Sequence, residues 1–142
     1  MRRLVVLATA VGLLGAVSAS ASVPSPCKLI TTADATKTLG VPVGAGKAET
    51  VGLYQACLYM AGTKGVTVLV RQMSRSTFDK SAKANPGPVV HVNGIGSDAY
   101  SVKGGTGLLL WKSGTEVTVY IAGLSKALKA EETLGRAAAN RL

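Results

Sequence analysis

The chain has 142 residues, 47% hydrophobic and 16% charged, with 16 Lys and Arg against 7 Asp and Glu, so its formal charge is +9. That length suits one domain with or without a leader, and the apolar share is too large for a disordered chain. Seven acids, one His and two Cys leave few groups for acid–base catalysis or for a metal.

The N-terminus predicts export. Arg2 and Arg3 make a positive start, Leu4 to Val17 is apolar or small apart from Thr9, and Ala19-Ser20-Ala21 offers the small residues a signal peptidase accepts. The apolar run of 14 residues is shorter than the roughly 20 that a spanning helix needs. Cleavage is expected after Ala21, with Ala19 also compatible. Residues 1–21 are then the leader and 22–142 a single secreted domain, and loss of the two arginines takes +9 to +7. No later segment is long and apolar enough to cross a bilayer. The arginine pair alone does not decide between the general and the twin-arginine export routes. Cys27 follows Val23-Pro24-Ser25-Pro26, and the prolines spoil a lipobox, so no lipid anchor is expected.

Cys27 and Cys57 are the only cysteines, and an even count in an exported chain predicts a structural disulfide. There is no C-x-x-C, and a single His offers no metal-ligand set.

In chain order, residues 22–27 read as an extended lead-in, because proline biases its neighbours away from helix. Thr31 or Thr32 caps a helix running to about Leu39, with Asp34 in capping-box position and Gly40 as the stop. Gly44, Gly46 and Lys47 suggest a loop or weak edge strand. Val51 to Met60 and Val66 to Met73 read as a hairpin about the turn 61–65. The disulfide would pin the first helix or the loop before it onto this sheet. Ser76 begins a second capped helix with Asp79, running to about Ala84 and ended by Asn85-Pro86-Gly87-Pro88. Val89 to Val92 is a short strand or extended segment, and 93–96 a turn. Ala99 to Lys103, Gly107 to Lys112 and Glu116 to Ala122 are three strands joined at Gly104-Gly105 and Ser113-Gly114. Ser125 caps a last helix to about Asn140, with Glu132 and Arg136 at i,i+4 spacing. This gives an α+β fold with an antiparallel sheet of five to six strands and three helices, mainly on one face. The order carries a weak twofold echo of an αβββ unit.

Several of these segments carry a resemblance. Pro26-Cys27 before Leu29-Ile30-Thr31-Thr32-Ala33-Asp34-Ala35 and Leu39-Gly40, then Cys57-Leu58-Tyr59, then Gly94-Ile95-Gly96-Ser97-Asp98-Ala99-Tyr100, resemble small exported actinobacterial cell-envelope domains of unknown function. These are lipoprotein-type domains, some similar to sensor domains of envelope kinases. The resemblance spans most of 26–140. It implies a two-Cys α+β domain at or outside the membrane and carries over no catalytic residue. The missing lipobox departs from the pattern and favours a freely secreted form.

The motifs that suggest chemistry each have a plainer explanation. Gly94 to Ala99 fits G-x-G-x-x-A, but a strand rather than a helix is expected to follow, so a turn is the better reading. Lys112-Ser113-Gly114 echoes a penicillin-recognising strand without the S-x-x-K partner and reads as a hairpin tip. His91 is the one histidine. It lies close in sequence to Ser97-Asp98, yet there is no G-x-S-x-G elbow, and a lone strand histidine is more often structural than catalytic. Arg71, Arg75, Lys80 and Lys83 gather in one stretch and form a candidate anion-binding patch, or else a solubilising surface. Trp111, Tyr100 and Tyr120 fall on neighbouring strands and either line a ligand groove or belong to the core. Neither cofactor nor metal is expected. Export and the few aromatics argue against a nucleic-acid partner.

The sequence therefore points to a secreted, non-enzymatic binding module of the envelope or medium, with a ligand of unspecified identity. The alternative is a small inhibitor of an extracellular hydrolase acting through residues 103–106 or 112–115. Third is a minor hydrolase using Ser97 and His91.

Overall fold

A computed structural model describes residues 22–84, 87–102 and 107–142. The lead-in is shorter than expected: α1 spans Pro26–Leu29, with Pro at its first position, where the missing N–H is no loss and the fixed φ suits a helix. The proline signal thus opens a helical turn that carries Cys27. Next, α2 spans Thr32–Leu39 and closes at Gly40 with φ 68°. Its capping box forms as the sequence predicts: Thr31 Oγ1 accepts from Asp34 N–H at 3.2 Å, and Asp34 Oδ2 accepts from Thr31 N–H at 2.8 Å.

The loop or weak edge strand expected at Gly44, Gly46 and Lys47 is an edge strand from Lys47, and the strand expected from Val51 starts only at Tyr54. β1 is Lys47–Val51 and β2 is Tyr54–Ala61, and Gly52 turns the chain between them with φ 59°. Glycine at the first central position is what a type II′ hairpin needs. β3 follows at Lys64–Gln72. α3 spans Arg75–Lys83, and its cap is Ser74 rather than Ser76, with Ser74 Oγ accepting from Thr77 N–H at 3.2 Å. Asp79 is drawn instead to Arg75 Nε at 3.1 Å.

The second half holds β4 at Val89–His91, β5 at Asp98–Val102, β6 at Leu108–Lys112 and β7 at Thr115–Ala122. α4 spans Ala127–Arg141, starting from Lys126 with no side-chain cap, so Ser125 does not serve as expected. Arg136 does not pair with Glu132 either; its guanidinium donates to the Gly94 carbonyl at 3.0 Å, a turn acceptor that lies within its reach.

The described residues thus hold seven strands and four helices, against the expected five to six and three. All pairings are antiparallel, in the order β1-β2-β3-β7-β6-β5-β4. Two meanders, of three and four strands, meet at the β3–β7 seam, so the strands do not repeat a single αβββ unit. The helices differ too, because α2 packs with the main core and α3 with a second cluster on the other face.

The main core lies between one sheet face and α1, α2 and α4. Val66, Val68 and Val70 on β3 and Val117 and Val119 on β7 are fully buried there, each contributing about 1.5–3 kcal/mol by leaving water. α4 comes close to β6 because Gly135 has no Cβ; one would collide with Leu108. Cys27 and Cys57 are bonded, with Cα atoms 5.2 Å apart, and join α1 to β2. The Tyr59 hydroxyl reinforces that join by donating to the Ile30 carbonyl. Among the described residues no helix is long and apolar enough to cross a membrane.

Candidate functional site

Alternation along the strands places Trp111 and Tyr100 on the face away from the main core. There they meet α3. The Phe78 ring, fully buried, lies 5.7 Å from Tyr100, and the Trp111 indole N–H donates to the Met73 carbonyl at 2.8 Å. These two aromatics form part of a second, smaller core with Val102 and Leu109. Tyr120 shares their face but stays apart, 39% exposed on β7 opposite Thr67. The structure therefore joins two of the three candidate ligand residues and leaves the third alone.

Two of the four candidate anion-binding cations already have carboxylate partners. Arg71 bonds Glu116 at 3.0 Å and stacks 4.5 Å above the Tyr54 ring. Burial, then the Glu116 charge, pushes the Tyr54 hydroxyl up to about 12. Arg75 bridges Asp79 and Asp98. Lys80 and Lys83 are exposed on α3, with no carboxylate partner among the described residues.

His91 and Asp98 do meet, Nε2 to Oδ1 at 2.7 Å. Asp98 is nearly buried and also accepts from Arg75 and, at 3.2 Å, from the Tyr100 hydroxyl. Burial, then the Asp98 charge, raises the Tyr100 hydroxyl. Among the described residues no serine hydroxyl bonds His91, and Ser97 uses its backbone N–H on the Trp111 carbonyl at 2.9 Å. An anchored imidazole without a nucleophile is not a triad. Gly94 and Gly96 take positive φ in a turn that leads into β5, so no helix N-terminus is present for a dinucleotide phosphate. Ser113 and Gly114, φ 50° and 79°, make the β6–β7 turn, as type I′ geometry requires. The loop 103–106, proposed for an inhibitor, lies outside the described residues.

A further apolar concavity lies elsewhere. α2, α4 and the link before α4 enclose about 430 Å³. Helical spacing puts Asp34, Lys37 and Thr38 on one side of α2, and Ala130, Thr133, Leu134 and Ala137 on one stripe of α4. Leu124, Ala130, Leu134 and Ala137 make an apolar floor, while Lys37, Lys126 and Lys129 stand at the rim. All three lysines are exposed and, among the described residues, none has a carboxylate partner. Asp34 is the one acid in the lining, and its Oδ2 holds Arg141 at 2.7 Å. Burial pushes that carboxyl up, but the bonds from Arg141 and Thr31 outweigh it and hold it below the ordinary carboxylate range. The first turn of α4 has no acid, so its free N–H groups add to the positive potential at the Lys126 end. The sequence could not show this groove, because Lys37 lies far in the chain from Lys126 and Lys129 and shares no motif with them.

Glu131 lies on α4 between the groove residues Ala130 and Leu134. It is 2% exposed and accepts from Ile121 N–H at 3.2 Å, with no ion-pair partner among the described residues. Burial raises its carboxyl. A raised folded-state value means the native fold binds this proton more tightly than the unfolded chain, so the contribution to stability falls as pH rises. Glu131→Gln should therefore raise the melting temperature at pH 7. The gap should close as pH falls into the ordinary carboxylate range, as thermal unfolding over a pH series would show.

No protein-family model matches the chain, and no curated protein or solved structure is significantly similar to it.

Proposed function

We propose that this protein is a small exported binding module without catalytic activity, and that it takes an amphipathic anion in the groove between α2 and α4. The observation that carries the reading is the trio Lys37, Lys126 and Lys129, unpaired around an apolar floor in a space of about 430 Å³. That volume lies within the usual range for small-molecule sites. An alkyl chain on Leu124 and Leu134 would gain about 0.8 kcal/mol per buried CH₂, and a carboxylate or phosphate head would meet the lysines. Lysine ammonium groups are point charges without the fixed fork of arginine, so they select charge more than head-group shape. The Arg71–Arg75 stretch is a weaker candidate, because its arginines already serve Glu116, Asp79 and Asp98. The leader-like residues 1–21 and the Cys27–Cys57 bridge support an oxidising, exported setting. The resemblance to envelope domains agrees with that setting.

Dodecyl phosphate below its micelle concentration is a suitable probe, followed by amide chemical shifts. It should shift Lys37, Lys129, Ala130 and Leu134, whereas dodecanol and inorganic phosphate each bind at least about tenfold more weakly. Lys37→Gln with Lys129→Gln should weaken the phosphate by about tenfold and leave dodecanol unchanged. Equal binding of dodecanol and dodecyl phosphate, or shifts centred away from α2 and α4, would overturn the proposal.

A further inference from the structure

We infer that the outer edge of β1 pairs antiparallel with the same edge of a second copy of this chain. No residue of β1 lines the groove, and the inference does not depend on what the groove binds. β1 ends the sheet; among the described residues no strand lies beyond it, and Lys47, Ala48, Thr50 and Val51 are exposed. Edges of this kind are templates for pairing unless something blocks them.

Hairpin geometry decides which backbone groups are free. Val51 and Tyr54 close a two-residue turn, and the closing pair of such a turn exchanges both of its hydrogen bonds. Every second residue then does the same, so Glu49 and Lys47 direct their backbone groups to β2. Ala48 and Thr50 direct theirs outward. A twofold pairing must satisfy these outward groups, which leaves three registers, centred on Ala48, Glu49 or Thr50.

Charge chooses among them. Centred on Glu49, the pairing sets the two Glu49 side chains against each other. Centred on Thr50, it sets Glu49 against Val51. Centred on Ala48, it sets Lys47 of each copy opposite Glu49 of the other, at the close non-hydrogen-bonded positions where side chains interact most strongly. Lys47 and Glu49 have no ionic or hydrogen-bonding partner of their own among the described residues, so both charges are free for this use. Val51 and Leu53, 48% and 85% exposed, add apolar surface at the end of the same edge. The contact is small, so a reversible dimer is expected rather than a permanent one.

Charge on an edge strand also serves to repel strangers, and the test separates the two roles. Sedimentation velocity of the purified protein with its disulfide intact should show a monomer–dimer equilibrium between micromolar and millimolar concentration. Glu49→Lys and Lys47→Glu should each weaken it by about tenfold or more, since two attractive pairs become repulsive. Mixed together, these two variants should dimerise again, because each supplies the charge the other lacks; recovery also shows that both are folded. Neutralising both positions, Lys47→Thr with Glu49→Thr, should weaken self-association. A chain that stays monomeric at millimolar concentration would overturn the inference, as would a mixture that fails to associate or a neutral variant that associates more strongly.

Discussion

Loss of the Cys27–Cys57 bridge should lower stability by about 3–4 kcal/mol, because the bond closes a loop spanning 30 positions and confines the unfolded chain accordingly. For a domain of this size that is a fall in melting temperature of roughly 10–15 °C. The folded state itself should change little. Leu29 and Ile30 are 2% and 0% exposed, and the Tyr59 hydroxyl still holds the Ile30 carbonyl, so α1 keeps its place without the sulfurs. The choice of replacement matters, since Cys57 is fully buried. Cys57→Ala leaves a small apolar gap, whereas Cys57→Ser adds a buried hydroxyl and should cost about 1 kcal/mol more. Thermal unfolding with and without reductant, beside both variants, measures each part. A melting temperature indifferent to reductant would mean that the bridge does not restrain the unfolded chain. Below the melting point, anion binding at the α2–α4 groove should survive reduction, because Asp34, Lys37 and Thr38 follow α1 on a helix with its own capping box.

Local chemistry was readable where one residue type carries the signal. Thr31 with Asp34, Gly40, and Ser113-Gly114 each require a particular conformation, and each adopts it. The bridge between the first helical segment and the second strand was readable from the even cysteine number and the leader-like start of the sequence. An edge strand near Lys47 was one of two readings, but its end was hidden because the apolar parity of Val51, Leu53, Cys57 and Tyr59 runs straight through the turn, and Gly52 alone marks the break. α1 was hidden because Pro24 and Pro26 suggest extended chain, although a proline at the first position also starts a helix. The ambiguity of Trp111 and Tyr100 could not be resolved from alternation, since Leu108, Leu109 and Leu110 are buried on both faces of one strand. Only the placement of α3 on the second face decides it. Likewise the rim of the groove is assembled by tertiary packing of helices remote in sequence, for which no spacing rule exists.

Arg71→Met should destabilise the protein by about 3 kcal/mol, and more than removal of its partner, although the two share one ion pair. The asymmetry follows from burial. Glu116 is 1% exposed, and without Arg71 its carboxylate keeps long bonds from the Tyr54 hydroxyl at 3.3 Å and the Thr118 hydroxyl at 3.4 Å. A buried charge robbed of its partner is among the larger single penalties. Arg71 is 19% exposed, so in Glu116→Leu its guanidinium can reach water while staying stacked on Tyr54, and about 1–2 kcal/mol should be lost. The double variant should then lie close to Glu116→Leu, well short of the sum, since neither charge is left stranded. It also removes Arg71 Nε, a buried donor with no partner among the described residues. Urea unfolding of the four proteins gives the coupling directly, and additive losses would show that the pair does not act as a unit. A stable double variant would imply that the pair serves the register of the sheet. Arg71 stands directly opposite Glu116 in the β3–β7 seam, where the two meanders join. A slip of one residue there would turn Arg71 into the helix-covered core, and the buried pair forbids that slip at a seam between strands far apart in the chain.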